Sequence, residues 1–416
     1  MNKLRLYGIW SIIITVMFFI LTSSAIGAEK EPIKIGAILC ITGADAELGI
    51  EEKRAIEITA DLLNAKGGIK GYPLEVDIVD GQSDPVKFAT SAYRLIEASK
   101  VVGCIGGDDI SQVTSAGEVF KGAKTCYISI GATTVTIPLL GDNMFMCALP
   151  DNDQGRGIAN YVYEKLGYDT VAIFKDVGSA YGTKLTEYII YFLKEFTGKE
   201  NPVPLVLSYN TGDNDYSSQL TRLKSNIDKL GIQAIILPTW PQDAPKIAKQ
   251  ARDLEINLPL VGSDGVESSS LAPVGGEAVE GLIFSTHFSA DQPGLSPFTK
   301  EFVEEFIKEE GYKPGAFGAT GSDAFVILAQ TISFVIEQEG EEWWDSASLE
   351  DKRVAIKDGL IKTEFTWTSQ PIKYLPGGWC QKGLVWKIVR DGELRFYDFQ
   401  TYEQYTPEGI ETMPFM

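Results

Sequence analysis

The sequence predicts an α/β protein built as two doubly wound parallel-sheet lobes. Short apolar runs alternate with amphipathic helical patterns, this alternation restarts midway, and 416 residues exceed one ordinary domain. Apolar residues make up 44% of the chain and charged residues 23%, a composition that builds full cores. The formal net charge of −20 argues against nucleic acid or an anionic membrane surface as a partner.

The elements follow in order. Residues 1–27 read as a cleavable export signal: Lys3 and Arg5 are basic, Ile9 to Leu21 is apolar, and small residues lead to a cut near Gly27–Ala28. The apolar run falls short of the roughly 20 residues of a spanning helix. No cysteine follows it, so no lipid anchor is expected, and no later segment is expected to cross a bilayer. In the first run, Ile33 to Cys40 is a strand and Glu51 to Ala65 a helix stopped by Gly67–Gly68. Leu74 to Val79 is a strand, and Asp84–Pro85 starts a helix with Asp as cap and Pro in the first turn. Val101 to Ile105 is a strand, Val113 to Phe120 a helix, and Thr125 to Ile130 and Met144 to Leu149 are strands.

The second run pairs helix Gly157 to Leu166 with strand Thr170 to Phe174. Helix Tyr181 to Phe196 precedes strand Val203 to Ser208, and helix Tyr216 to Leu230 precedes strand Ala234 to Leu237. Helix Pro241 to Leu254 and strand Leu260 to Gly262 close it. Four of the five cysteines (Cys40, Cys104, Cys126, Cys147 and Cys380) fall in apolar strands, which favours buried free thiols. There is no C-x-x-C pair and one histidine, His287, so neither a metal site nor a cofactor is expected.

Ligands of doubly wound sheets bind beyond the carboxyl ends of the strands. In the first lobe those loops carry Leu48, Ile110, Ser111, Ser129, Ala132 and Thr133, offering hydroxyls and helix starts that suit a carboxylate. In the second they carry Tyr181, Trp240 and Asp264: an acid for an ammonium, with aromatics to flank it. The same residues also serve as ordinary caps, turns and core aromatics elsewhere, and Ser263-Asp264-Gly265 is a plain turn sequence. The P-loop, the G-x-S-x-G elbow and a G-x-G-x-x-G after the first strand are all missing. Asp108, Asp109 and Asp264 leave open only a hydrolase working with paired carboxylates.

Several segments carry a family resemblance: IKIGAILCITGADAELG, NAKGGIKGYPLEV, DGQSDPVKFATSAYRLI, ISIGATT, KDVGSAYG and LVGSDGV, in this order. From about Ile33 to Gly383 the chain resembles the leucine/isoleucine/valine-type periplasmic binding proteins, the type I solute receptors of branched-chain amino-acid ABC importers. The resemblance implies two lobes joined by a three-crossover hinge, lobe one at 31–149 plus 284–368 and lobe two at 150–283 plus 369–416. It implies a monomer in the periplasm, with no cofactor, that closes on a small amino-acid-like or amide solute and delivers it to an ABC permease. Proteins of this fold also serve as sensors docked on a signalling partner. By resemblance, Ser111, Ala132 and Thr133 hold the ligand carboxylate, Tyr181 covers the ligand and Asp264 takes its ammonium. Trp240 and Phe317 shape the side-chain pocket. Leu48 replaces a bulky aromatic, Asp264 is shorter than the family's glutamate, and Ser83 and Asp109 stand where some members carry a disulfide. The acids of GGDDI, Gly106 to Ile110, stand where the family carries hydroxyls: either they point away from the ligand, or the cargo is other than leucine or isoleucine.

Overall fold

A computed structural model describes residues 30–406; the segment 1–27, expected from the sequence to be an export signal, lies outside the described residues. The first sheet contains β1 (Ile33–Leu39), β2 (Leu74–Asp80), β3 (Gly103–Gly106), β4 (Tyr127–Ser129) and β5 (Met144–Met146). All neighbours are parallel, in the order β2-β1-β3-β4-β5. The second lobe supplies β6 (Val171–Asp176), β7 (Leu205–Tyr209), β8 (Ala234–Leu237), β9 (Leu260–Gly262) and β10 (Ile283–Thr286). A small hairpin follows, β11 (Lys373–Tyr374) and β12 (Cys380–Gln381), and then β13 (Leu384–Arg390) and β14 (Glu393–Gln400). The second sheet runs β14-β13-β10-β9-β8-β6-β7, with β13 and β14 antiparallel at one edge.

The inner strands are near-continuous apolar runs because both their faces are buried, whereas the edge strands β2 and β14 are only partly buried. Asp84 caps its helix as expected, accepting from the N–H groups of Val86 and Lys87 at 2.7 and 3.0 Å. The expected helix from Tyr216 to Leu230 is two pieces, Ser217–Lys224 and Ile227–Leu230. Ser225 and Asn226 bond back to Thr221 and Arg222 carbonyls and end the first piece.

The two later crossovers need correction. β10 pairs with β9 and β13, so residues 284–286 belong to the second sheet and the chain crosses after them. Tyr374 and Cys380 pack into the first lobe's core, and the indole of Trp379 donates to the carbonyl of Val135 at 2.8 Å. The final crossover therefore follows Gln381 rather than residue 368. Among the described residues one helix, Ala316–Glu339, is long and apolar enough to cross a membrane, contrary to expectation, and most of it is buried inside the fold. Gly318 lets it lie close to the helix Ala46–Ala65: a Cβ there would come within 2.7 Å of the Glu51 carboxylate. All five cysteines are free and buried.

Candidate functional site

In each sheet the strand order reverses beside one strand: β1 lies between β2 and β3, and β6 between β7 and β8. The loops leaving the carboxyl ends at these reversals face one another across a cavity of about 360 Å³. Leu48, Ile110, Ser111, Ala132, Thr133, Tyr181, Trp240, Asp264 and Phe317 all line it. Ser129 does not. It is fully buried behind the wall, and its hydroxyl donates to the carbonyls of Gly107 and Ala132 at 3.3 and 3.5 Å. Its position at the end of β4 turns it inward, to tie down the loop that carries Ala132.

The second-lobe wall is organised around Asp264. Its carboxylate takes the Tyr181 hydroxyl and the N–H of Gly265 (2.9 Å) on one oxygen, and His287 Nε2 (3.0 Å) on the other. The Tyr181 hydroxyl also lies 2.7 Å from Ser263 Oγ, and the Tyr181 and Trp240 rings stand 5.1 Å apart. Burial by itself raises the Asp264 carboxyl, but the hydrogen bonds from His287 and the Tyr181 hydroxyl outweigh it and hold the group below its usual range. Burial lowers His287, only partly offset by Asp264, so the ring is neutral at neutral pH and donates through Nε2.

The first-lobe wall differs from expectation. The helix Ile110–Gly122 spends the Ser111 donors of its first turn on its own cap. Asp109 caps it, accepting from the Ser111 N–H at 2.8 Å and the Ser111 hydroxyl at 2.5 Å. Gln112 completes the capping box, its Oε1 taking the N–H groups of Asp108 and Asp109 at 3.1 and 3.3 Å. Its Nε2 reaches across to Asp45 Oδ2 at 3.0 Å. Ser83 and Asp109, where some resembling proteins carry a bridge, instead bond to Asp45 and Ser111.

Asp151, whose N–H donates to the Thr133 carbonyl at 2.9 Å, is buried beside the cleft. Burial pushes its carboxyl up to about 7, the Thr133 hydroxyl opposing this and Asp264 adding to it. A second hollow of about 130 Å³ adjoins the first, with Leu48 and Phe317 lining both. There Glu47 on the first lobe accepts from Ser268 and Ser269 on the second at 3.1 and 3.2 Å, and Lys387 pairs with Glu267.

The sequence reading missed His287 as the partner of Asp264, and Gln112, Asp151 and Glu52 as wall and backing residues. Two of these left signals. Asp109-Ile110-Ser111-Gln112 has capping-box spacing, and Glu52 interrupts the apolar stripe that Ala55 and Ile56 continue. Asp151 and His287 left none, because their roles arise from contacts between distant segments.

Two facing α/β lobes with a lined cavity between them define a hinged solute receptor. The family model described as periplasmic binding protein matches residues 32–335, and the chain belongs to that family. It is 28% identical over 292 residues to the Leu/Ile/Val-binding protein of Escherichia coli, covering 70% of this chain and 76% of the relative. Among solved structures it is similar to a leucine binding protein of Thermotoga maritima, with 27% identity, a TM-score of 0.74, and 88% of this chain and 98% of the other covered. It is also similar to a branched-chain amino acid transporter substrate binding protein of Streptococcus pneumoniae in complex with isoleucine, with 25% identity, a TM-score of 0.75, and 89% and 99% covered.

Proposed function

We propose that this protein is a periplasmic receptor that closes its two lobes on a small amine-bearing solute, such as an amino acid or amide, and hands it unchanged to an ABC permease. The observation that carries this reading is the Asp264 carboxylate, held ionised by His287 and Tyr181 on the wall of an interlobe cavity. A cavity of about 360 Å³ matches a small molecule. The three relatives named above, a Leu/Ile/Val-binding protein, a leucine binding protein and a substrate binding protein in complex with isoleucine, support transport of an amino-acid-like solute. Tyr181 and Trp240 flank the ammonium, Thr133 and Ala132 border its other end, and Leu48 and Phe317 limit its length.

Hydrolysis by paired carboxylates fits poorly. Both Asp108 oxygens are out of solvent contact, and Asp109 is spent capping Ser111, so neither stands ready opposite Asp264 across a substrate bond. The protein acts as a monomer, since one chain supplies both walls of the cleft. Calorimetry of the mature protein against a panel of amino acids, amides and amines tests the reading. Saturable one-to-one binding of an unchanged ligand is expected; turnover of the ligand contradicts it.

A further inference from the structure

Behind the first-lobe wall two buried acids meet. Glu52 stands on the helix Ala46–Ala65, and Asp108 in the loop that leaves β3. Glu52 is 0% exposed, and both oxygens of each carboxyl are out of solvent contact. Among the described residues no N–H or hydroxyl donates to any of the four oxygens. The two carboxyls are hydrogen-bonded to each other instead. Two carboxylates cannot make that bond, because ionised they only accept, so one of the pair carries a proton.

The surroundings supply no counter-charge. The titratable groups that face the pair are the acids Asp45, Glu51 and Asp109, the thiols Cys40 and Cys147, and the phenol Tyr127. Burial keeps the thiols and the phenol in their neutral forms. The helix Ala316–Glu339 packs on Glu52 through Gly321, which brings no charge. Burial pushes both carboxyls above their usual range, Asp108 to about 6. The pair is also closely confined. A Cβ on Gly131 would collide with Asp108 Oδ1, and one on Gly107 would come within 2.7 Å of Val113 and 3.0 Å of the Tyr127 hydroxyl. Two ionised carboxylates have no room there to draw apart.

The pair joins the two elements that carry the first-lobe wall. The helix Ala46–Ala65 brings Leu48 to the cleft in its first turn, and the Asp108 loop runs on into Ile110 and Ser111. Gln112 spans the same junction, accepting from the Asp108 N–H at 3.1 Å and donating to Asp45 at 3.0 Å. We infer that Glu52 and Asp108 are positioning residues that share a proton, and that this proton clasps the two elements of the first-lobe wall together, so that its loss loosens the wall and weakens ligand capture. The effect on capture rests on the receptor reading; the shared proton does not. Unfolded, both carboxyls titrate near about 4. The stability that the proton contributes is therefore full below about pH 4 and is lost as pH rises through the raised range of the folded pair.

The test joins infrared spectroscopy to calorimetry. In the ligand-free protein at pH 7, the carbonyl stretch of protonated carboxyls should weaken on Glu52→Gln, whose amide donates to Asp108 in place of the proton. Calorimetry with leucine, isoleucine and valine then runs from pH 6 to pH 9. The unsubstituted protein should lose about tenfold more affinity over that range than Glu52→Gln, which has no shared proton to lose. Glu52→Leu, with no donor to offer, should bind about tenfold more weakly at pH 7, and Glu52→Gln should recover most of that loss. If Glu52→Leu does not fold, Asp108→Asn takes its place and should flatten the pH profile as Glu52→Gln does. An unchanged carboxyl stretch in Glu52→Gln, or the same pH profile with and without the substitution, overturns the inference. If none of the three amino acids binds, the receptor reading loses their support and the thermal midpoint decides the clasp. It should fall more steeply from pH 6 to pH 9 in the unsubstituted protein than in Glu52→Gln, and parallel falls overturn it.

Discussion

Two carboxylates on opposite walls of one cleft have opposite fates. Asp264 on the second lobe is met by Tyr181, His287 and the Gly265 N–H, and sits below its usual titration range. Asp108 on the first lobe has both oxygens out of solvent contact beside the buried Glu52, and burial pushes it above its usual range, to about 6. Burial is common to both, so it does not explain the difference; the supply of donors does. A carboxylate with its donors in place is preorganised for an incoming cation. One without them, shut away from the cleft, favours its protonated form.

The largest way to break this contrast is to remove Asp264. Asp264→Ala should weaken the best amine ligand by about a hundredfold or more, roughly 3 kcal/mol, while circular dichroism stays native. Unchanged affinity would move the ammonium elsewhere. Next comes its support. His287→Ala removes a buried hydrogen bond to a charged group and should cost about 1.5–3 kcal/mol of stability in denaturant unfolding. It should also weaken the ligand by about tenfold, because Asp264 loses its fixed orientation.

The contrast also predicts an acid-side stability gain. Asp151 and Glu51 are raised to about 7, and Asp108 to about 6, above the usual range near 4. The folded state therefore holds more protons than the unfolded chain between roughly pH 4 and 7. The stability linked to these protons is full below about pH 4 and is lost as pH rises through 6 to 7. Asp264, lowered, loses its contribution only below about pH 4, outside this window. The ligand-free protein should thus melt about 2 °C or more higher at pH 5.5 than at pH 8, and Asp151→Asn should shrink the gap. A higher midpoint at pH 8 would show these acids to be unstrained.

The smallest effect concerns the lobe-to-lobe bonds of Glu47 with Ser268 and Ser269. Glu47→Ala should open the hinge slightly, weakening the ligand by about twofold to fivefold, with a larger radius of gyration in solution scattering.

Much of the site was legible because strand ends are legible. Apolar runs such as AIIL and LVG mark where each strand stops, and doubly wound sheets place ligands just beyond, which brings Trp240 and Asp264 to the cleft. The first-lobe wall was misread because helix starts look alike in sequence. Asp109 turned its N–H groups inward to itself, and only the geometry of the cap reveals it. Ser129 was misread because the last residue of a short strand faces either the cleft or the core. The crossover at 284 was set by resemblance, and the pairing of β10 with β13 joins segments distant in sequence, such as Ile283 with Ile388.

A crystal structure with the tightest ligand of the panel tests the central claim most directly. The account predicts both lobes closed on one molecule, with its ammonium nitrogen about 3 Å from the Asp264 carboxylate beneath Tyr181 and Trp240. A ligand bound outside the interlobe cleft, or inside it with Asp264 touching only Tyr181, Gly265 and His287, would contradict it.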